Sequence, residues 1–420
     1  MKYKAGIFDL FQYLYEETGF SDHQVHCVVC FKNHVDSAVM RKAAELLVAA
    51  VPILSRSYHA CGEKSYWEDQ DRSFGETLFA VVNNQEQLDR FTFSKTDEAS
   101  GPQIKFCLLQ AQNDVLSVVI NHMVSDAAGL KQLIYLFSDI YSQLIKNPAY
   151  LPDTIIDGDR GFKGVTRVFS FAQKAKILLF GGKDNNQDTG SSFPLSQSAV
   201  TAPFIISRQI SLECYQAIKD CCRRNGVTVN DVVLTAYFRV LSEILNMRGK
   251  ILAVPIMIDM RRYLKDKNFN ALTNLSSTTI VRLCVEPNEA FGTTLSKLSA
   301  IMKVKKTNHL GISTFIKLDA GFKVPLINVY RVLKKSLRNP KISMTNIGVL
   351  DASKLYFEDA AVDNAVMYAS IKYRPYFQMS VTSFNDKMTI GAGLYGDTQD
   401  KASIEEFFDL MEKELQMCQR

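Results

Sequence analysis

The feature that most constrains this chain is a polar, glycine-bearing stretch near its middle, Gly181-Gly182-Lys183-Asp184-Asn185-Asn186-Gln187-Asp188-Thr189-Gly190-Ser191-Ser192. It has no hydrophobic period, so it offers no face to a core and reads as a linker or loop. At 420 residues the chain is too long for one ordinary core, and a break here leaves two pieces of similar size. We therefore expect an N-terminal half over 1–180, a linker over 181–200 and a C-terminal half over 201–420.

Both pieces mix strand and helix patterns. In the first, 24–30 reads as a strand, Asp36 or Ser37 caps a helix through Ala50, and Pro52 closes it. Residues 78–82 and 104–109 are strand-like, and Asn113-Asp114 turns the chain back into 115–120 as a hairpin. A long helix follows from about Asp126, with Leu130, Leu133, Ile134, Phe137, Ile140, Tyr141 and Leu144 on one face. In the second piece, a strand over 204–210 leads to Ser211 as the cap of a helix ending at Asn225-Gly226. Val229, Val232, Val233, Tyr237, Val240, Leu241 and Ile244 mark another helix, closed by Arg248-Gly249. Strands are expected at 251–258, 278–285, 341–347, 377–384 and 388–394, and a terminal helix starts near Ser403. The mixture predicts an α/β protein made of two α+β sandwiches.

Composition narrows the function classes. A formal charge of +5 spread over this length is no nucleic-acid stripe, though it suits an anionic ligand or an acidic partner. Nine cysteines without a framework suggest a reducing compartment. The N-terminus lacks a signal-peptide core, and no run nears the ~18 apolar residues of a membrane span. We expect a monomeric cytoplasmic protein.

Chemistry points to His122. The apolar strand 115–120 ends where it begins and the long helix starts at Asp126, so the imidazole sits on a strand-to-helix turn. An imidazole with a pKa of about 6.5 takes and returns a proton at neutral pH, as acyl transfer from a thioester requires. Asp126 could hydrogen-bond His122 as in a triad, or turn away, cap the helix and pair with an arginine. Gly129 would let a backbone or ligand approach the first helical turn. Spacing alone also fits a surface histidine beside a simple N-cap.

Asn121-His122-x-x-x-Asp126-x-x-Gly129 resembles the HxxxD motif of the CoA-dependent acyltransferase superfamily, which includes chloramphenicol acetyltransferase, alcohol acetyltransferases and peptide-synthetase condensation domains. Further matches are Phe8-Asp9 with Gln12, Val51 to Arg56, Gly226 to Val232, Ile258 to Arg262, Asn274-Leu275-Ser276-Ser277, and Ser343 to Gly348. The resemblance implies two chloramphenicol acetyltransferase-like domains forming a pseudodimer with a central tunnel, thioester entering from one face and acceptor from the other. It implies catalytic roles for His122 and Asp126, an ion pair of Asp126 with Arg261, and no metal. It implies acyl-CoA or acyl-phosphopantetheine as co-substrate rather than a resident cofactor, an alcohol or amine acceptor, and a free CoA or acidic carrier-protein donor. Asn121 stands where condensation domains usually carry a second histidine, and Ala127 where a glycine usually follows the aspartate, which favours a stand-alone enzyme. The alternative is a catalytically silent member that binds an acyl thioester or a protein partner. A serine hydrolase is disfavoured, because no Gly-x-Ser-x-Gly elbow is present.

Three other patterns have bland readings. Cys27-Val28-Val29-Cys30 in a strand points its cysteines to opposite faces and reads as core. Asn230-Asp231 read as helix N-cap residues. Arg331, Lys334, Lys335 and Arg338 form one basic helical face, with Val329, Val332, Leu333 and Leu337 largely elsewhere, and that face is either solvated or a dock for an acidic carrier or CoA phosphates.

Overall fold

The computed structural model describes residues 1–420 except 181–189, 267, 308, 320–329, 332, 336 and 420. Most of the mid-chain polar stretch falls outside the described residues, as do Val329 and Val332.

The first half supplies strands β1 (Lys2–Lys4), β2 (Gln24–Phe31), β3 (Ser57–His59), β4 (Tyr66–Glu68), β5 (Phe79–Val82), β6 (Ile104–Leu109) and β7 (Val115–Asn121). The second supplies β8 (Ala202–Ile210), β9 (Ile251–Asp259), β10 (Ser276–Cys284), β11 (Ile342–Leu350), β12 (Val362–Tyr368), β13 (Lys372–Tyr373), β14 (Phe377–Phe384) and β15 (Lys387–Gly396). They form a five-stranded sheet in the order β12-β2-β7-β6-β5, a seven-stranded sheet in the order β10-β9-β11-β14-β15-β13 with β8 on β15, and a small sheet β1-β4-β3.

Each large sheet builds its own core. Val25, Cys27, Val29 and Phe31 alternate along β2 and meet Leu47 of helix Ser37–Ala50 and Leu133, Ile134 and Phe137 of helix Ala127–Lys146. Deleting one of these buried side chains to alanine costs about 2–5 kcal/mol. In the second half, Val232, Val233 and Tyr237 of helix Val229–Ile244 and Phe407, Phe408 and Met411 of helix Thr398–Gln416 cover the seven-stranded sheet. The fold class is therefore mixed α/β.

Local chemistry explains the boundaries. Asp36 accepts from Ala38 and Val39 to start one helix, and Gly226 at φ 60° closes another in the left-handed region. The cap of helix Val229–Ile244 is Thr228, with Asp231 returning the bond, rather than Asn230-Asp231. The terminal helix begins at Thr398, ahead of the expected start near Ser403, because Asp397 and Asp400 form a capping box upstream of the first apolar residues.

One strand does not follow the division at mid-chain. β12 lies in the second half of the sequence but pairs antiparallel with β2, from Val362 opposite Phe31 to Tyr368 opposite His26. It covers the hydrogen-bonding edge that β2 would otherwise expose. The return path, Ala369 to Lys372, runs between the two large sheets.

Candidate active site

Asn121 ends β7, and its side-chain oxygen accepts the Met123 N–H at 2.9 Å, which bends the chain off the strand. The His122 N–H donates to the His23 carbonyl at 2.6 Å. Four residues on, Asp126 caps the long helix by accepting the Gly129 N–H at 2.9 Å. His122 is thus held on a turn fixed at both ends.

Asp126 turns away from the imidazole. Its other oxygen accepts from Arg261 Nη1 at 2.8 Å and from the Leu275 N–H at 2.7 Å. Burial alone would raise this carboxyl, but the Arg261 charge and these hydrogen bonds outweigh it and hold the pKa below the usual value. Arg261 also donates to Asp259 at 3.2 Å and to the Thr273 carbonyl at 2.8 Å. Asp126 thus spends its bonds on Arg261 and backbone N–H groups and makes none to the imidazole. It ties the His122 turn to the loop after β9.

The residue that does reach His122 is Asn274. Its Nδ2 donates to the carbonyls of His122 at 2.5 Å and Met123 at 3.2 Å. Carbonyls only accept, so they orient the amide and leave Oδ1 facing His122 Nδ1 at 3.0 Å. Nδ1 must then carry the proton, and Nε2 is left with its lone pair free. Burial is the main force on the ring and keeps its pKa below the ordinary 6.5 despite the nearby Asp126 charge. The imidazole is neutral at pH 7.

Two arginines brace the site from behind. Arg160 grips Asp9 through both terminal nitrogens at 3.0 Å and donates to the Met123 carbonyl at 3.2 Å and the Leu272 carbonyl at 2.7 Å. Trp67 Nε1 donates to the same Asp9 at 2.8 Å. Arg56 binds both oxygens of Asp157 and one of Asp69, each at 2.8 Å.

Gly129 does not open the helix to a ligand. A Cβ there would lie 2.3 Å from Ser125 Oγ and 3.1 Å from Leu272, so glycine is needed for packing against the loop that carries Asn274. Asn346 pairs with Asn230 at 3.2 Å and accepts the Gly348 N–H, and it is not in the cavity wall. Cys27 is buried in the first core, its thiol pushed up to about 12 by burial.

His122 opens onto a cavity of about 1980 Å³ between the two halves, walled by both. The first half contributes Phe8, Phe11, Tyr15 and Phe20, and the second Pro255, Met257, Ser343 and Gln378. A single small-molecule site takes roughly 300–1,000 Å³, so there is room for two reactants. Lys4, Lys176, Lys305, Lys317, Lys341 and Lys372 line it, and Asp126, already paired, is the lone acidic lining residue among those described. Leu333 and Leu337 also face it, while Arg331, Lys334, Lys335 and Arg338 are exposed.

No family model and no curated protein matches the sequence. Solved structures do match. A trichothecene 15-O-acetyltransferase from Fusarium sporotrichioides superposes with a TM-score of 0.74 at 11% identity, covering 100% of this chain and 95% of that one. The first condensation domain of the CDA synthetase gives 0.73 at 13% identity, with coverages of 99% and 96%. The epimerization domain from the third module of tyrocidine synthetase B gives 0.71 at 13%, with 100% and 97%. The chain has the condensation-domain fold. It is the two-domain chloramphenicol acetyltransferase-like architecture over its whole length, which at such identities leaves the chemistry to be argued from the site.

Sequence reasoning named His122, Asp126, Gly129 and Arg261, and the fold brings all four to one junction. It quoted Asn274 without giving it a task, and it passed over Arg160 and Lys372. A polar loop residue across the cavity was the available signal for Asn274. None marked the other two.

Proposed function

We propose that the protein transfers an acyl group from a CoA or carrier-protein thioester to a hydroxyl or amine, with His122 as general base. What carries this reading is the neutral imidazole whose Nδ1–H is engaged by Asn274, leaving Nε2 free, on a residue that lines a cavity with space for both reactants. As the nucleophile attacks the thioester carbonyl, Nε2 takes its proton. The C–S bond then breaks, and the thiolate recovers that proton from the imidazolium. Asp126 and Arg261 keep the turn in place without touching substrate.

The rim supports the donor side. Lys4, Lys176 and Lys317 are exposed there, with Lys305 and Lys341 partly so, which suits the phosphates of CoA or of a phosphopantetheine arm. Both walls come from one chain, so a monomer suffices. No described helix is long and apolar enough to cross a membrane, and the nine free cysteines suit a cytoplasmic setting.

The test is thiol release from acyl-CoAs of increasing length, with and without pooled alcohols and amines. Acceptor-dependent release that disappears in His122→Ala supports the reading. Acceptor-dependent release persisting in that variant would sink it.

A further inference from the structure

The segment after β12 places a lysine amine inside the cavity with no hydrogen bond or ion pair to any described residue. Its position follows from backbone contacts. The His122 N–H bonds to the His23 carbonyl, the Asp22 N–H bonds to the Ile371 carbonyl, and Ser21 bridges to Lys372. Lys372 therefore lies one strand beyond the segment that flanks the catalytic turn, and its side chain lines the same cavity as His122.

The side chain is 4% exposed, and its ammonium makes no hydrogen bond or ion pair with any described residue. Its one recorded contact is with the Phe20 ring, 4.0 Å from the centroid. Asp22 acts on it through charge but makes no ion pair with it, and Asp22 Oδ1 accepts the N–H groups of Gln24 at 3.2 Å and Ile371 at 3.0 Å. Burial consequently pushes the amine down to about 7. Two other residues of the cavity wall have free polar groups. Ser370, two residues back and 5% exposed, has a buried Oγ without a partner. Gln378 lines the cavity at 6% exposed with no side-chain hydrogen bond among the described residues. The Ser370 hydroxyl is buried without a partner, which is costly, whereas the Lys372 amine and the Gln378 amide reach the cavity with no hydrogen bond to a described residue.

We propose that Lys372, with Ser370 and Gln378 lining the same cavity, forms a carboxylate subsite, so that a substrate brought to His122 is itself a carboxylic acid. One amine whose nearest carboxyl, Asp22, is itself pushed toward the neutral form by burial matches a single negative charge. A phosphate dianion would be better served by the several lysines at the rim. The carboxylate belongs either to the acceptor or to the far end of a dicarboxylic acyl group. The assignment rests on the acyl-transfer reading for the substrate's role, but the binding itself does not.

Binding is therefore measured without turnover, by calorimetry and thermal shift on the full chain. The probes are lactate, 3-hydroxybutyrate and 3-phenyllactate, each against its own primary amide, and malonyl-CoA against acetyl-CoA. We expect at least one acid, or malonyl-CoA, to bind about tenfold or more tightly than its uncharged counterpart, the worth of one charge-assisted contact. Lys372→Met should reduce that ratio to about twofold or less and raise Tm by removing an unsatisfied buried charge. Ser370→Ala, a milder change, should narrow the ratio several-fold and serves if the methionine variant fails to fold. Preference among the free acids assigns the carboxylate to the acceptor, and preference for malonyl-CoA assigns it to the acyl group. No probe preferring its charged form, a ratio untouched by these variants, or a lower Tm in a folded Lys372→Met protein would each overturn the subsite. Discrimination without acceptor-dependent thiol release would instead remove the acyl-transfer reading and leave the subsite standing.

Discussion

Two buried aspartates have opposite fates, Asp126 in the cavity wall and Asp22 next to the lining residue Ser21. Asp126 meets Arg261 and the N–H groups of Gly129 and Leu275, and its pKa is held low. Asp22 has two backbone donors and no arginine, and burial pushes it up to about 7. Residue type and depth are alike; the partners differ. Around Asp126 almost every polar group is matched, as in a joint built for rigidity. Around Asp22, Lys372 has no ion-pair partner among the described residues and the buried Ser370 Oγ lacks a hydrogen bond. A matched cluster stabilises its own geometry, whereas an unmatched one persists where a ligand can complete it.

Substitutions can separate these two behaviours. The largest effect belongs to His122→Ala, which touches neither cluster's structure: kcat/KM should fall by at least ~10²-fold with little change in Tm, measured by thiol release beside a melting curve. Arg261→Ala breaks the matched cluster and leaves Asp126 buried and alone. It should cost about 3 kcal/mol in a urea titration, opposite in sign to the Tm change expected for Lys372→Met. Equal and opposite shifts would sharpen the contrast, and an unchanged midpoint for Arg261→Ala would erase it. Asn274→Ala removes the bond that favours Nδ1–H and two bonds to the His122 and Met123 carbonyls; it should lower kcat about tenfold, with a smaller loss of stability than Arg261→Ala.

The smallest effect is on the pH profile. The reactive form is the neutral imidazole, and its pKa is lowered from 6.5. Protonation therefore removes activity only as pH falls through that depressed value, so the acid limb of kcat/KM should lie below 6.5. Asn274 donates nothing to the ring but favours its protonated form, so Asn274→Ala should move the limb further down. A limb above 6.5 in the wild type would contradict the buried, neutral ring.

Much of the scaffold was legible. The alternation of β2, the hairpin of β6 and β7 and the apolar face of helix Ala127–Lys146 are local patterns, and local patterns survive folding. Contacts across long sequence distances are another matter. Asp126 and Arg261 are 135 residues apart, and only the family resemblance suggested their pairing. His122 and Asn274 are 152 apart; the loop was quoted, yet nothing in its spacing said that an amide would set the imidazole tautomer. β12 went unread because Val362-Asp363-Asn364-Ala365-Val366-Met367-Tyr368 has no clean alternation; its identity as a strand comes from the edge it joins. Lys372 sits between Ile371 and Tyr373 and looks in the sequence like any surface lysine. Its meaning depends on what it fails to touch.

The crossing of β12 has a practical corollary for anyone dividing this polypeptide. A fragment stopped at the midpoint would keep most of its own interior yet present β2 as a raw, sticky border, inviting self-association. Supplying residues 362–368 in trans should quench that tendency, much as a missing slat closes a fence.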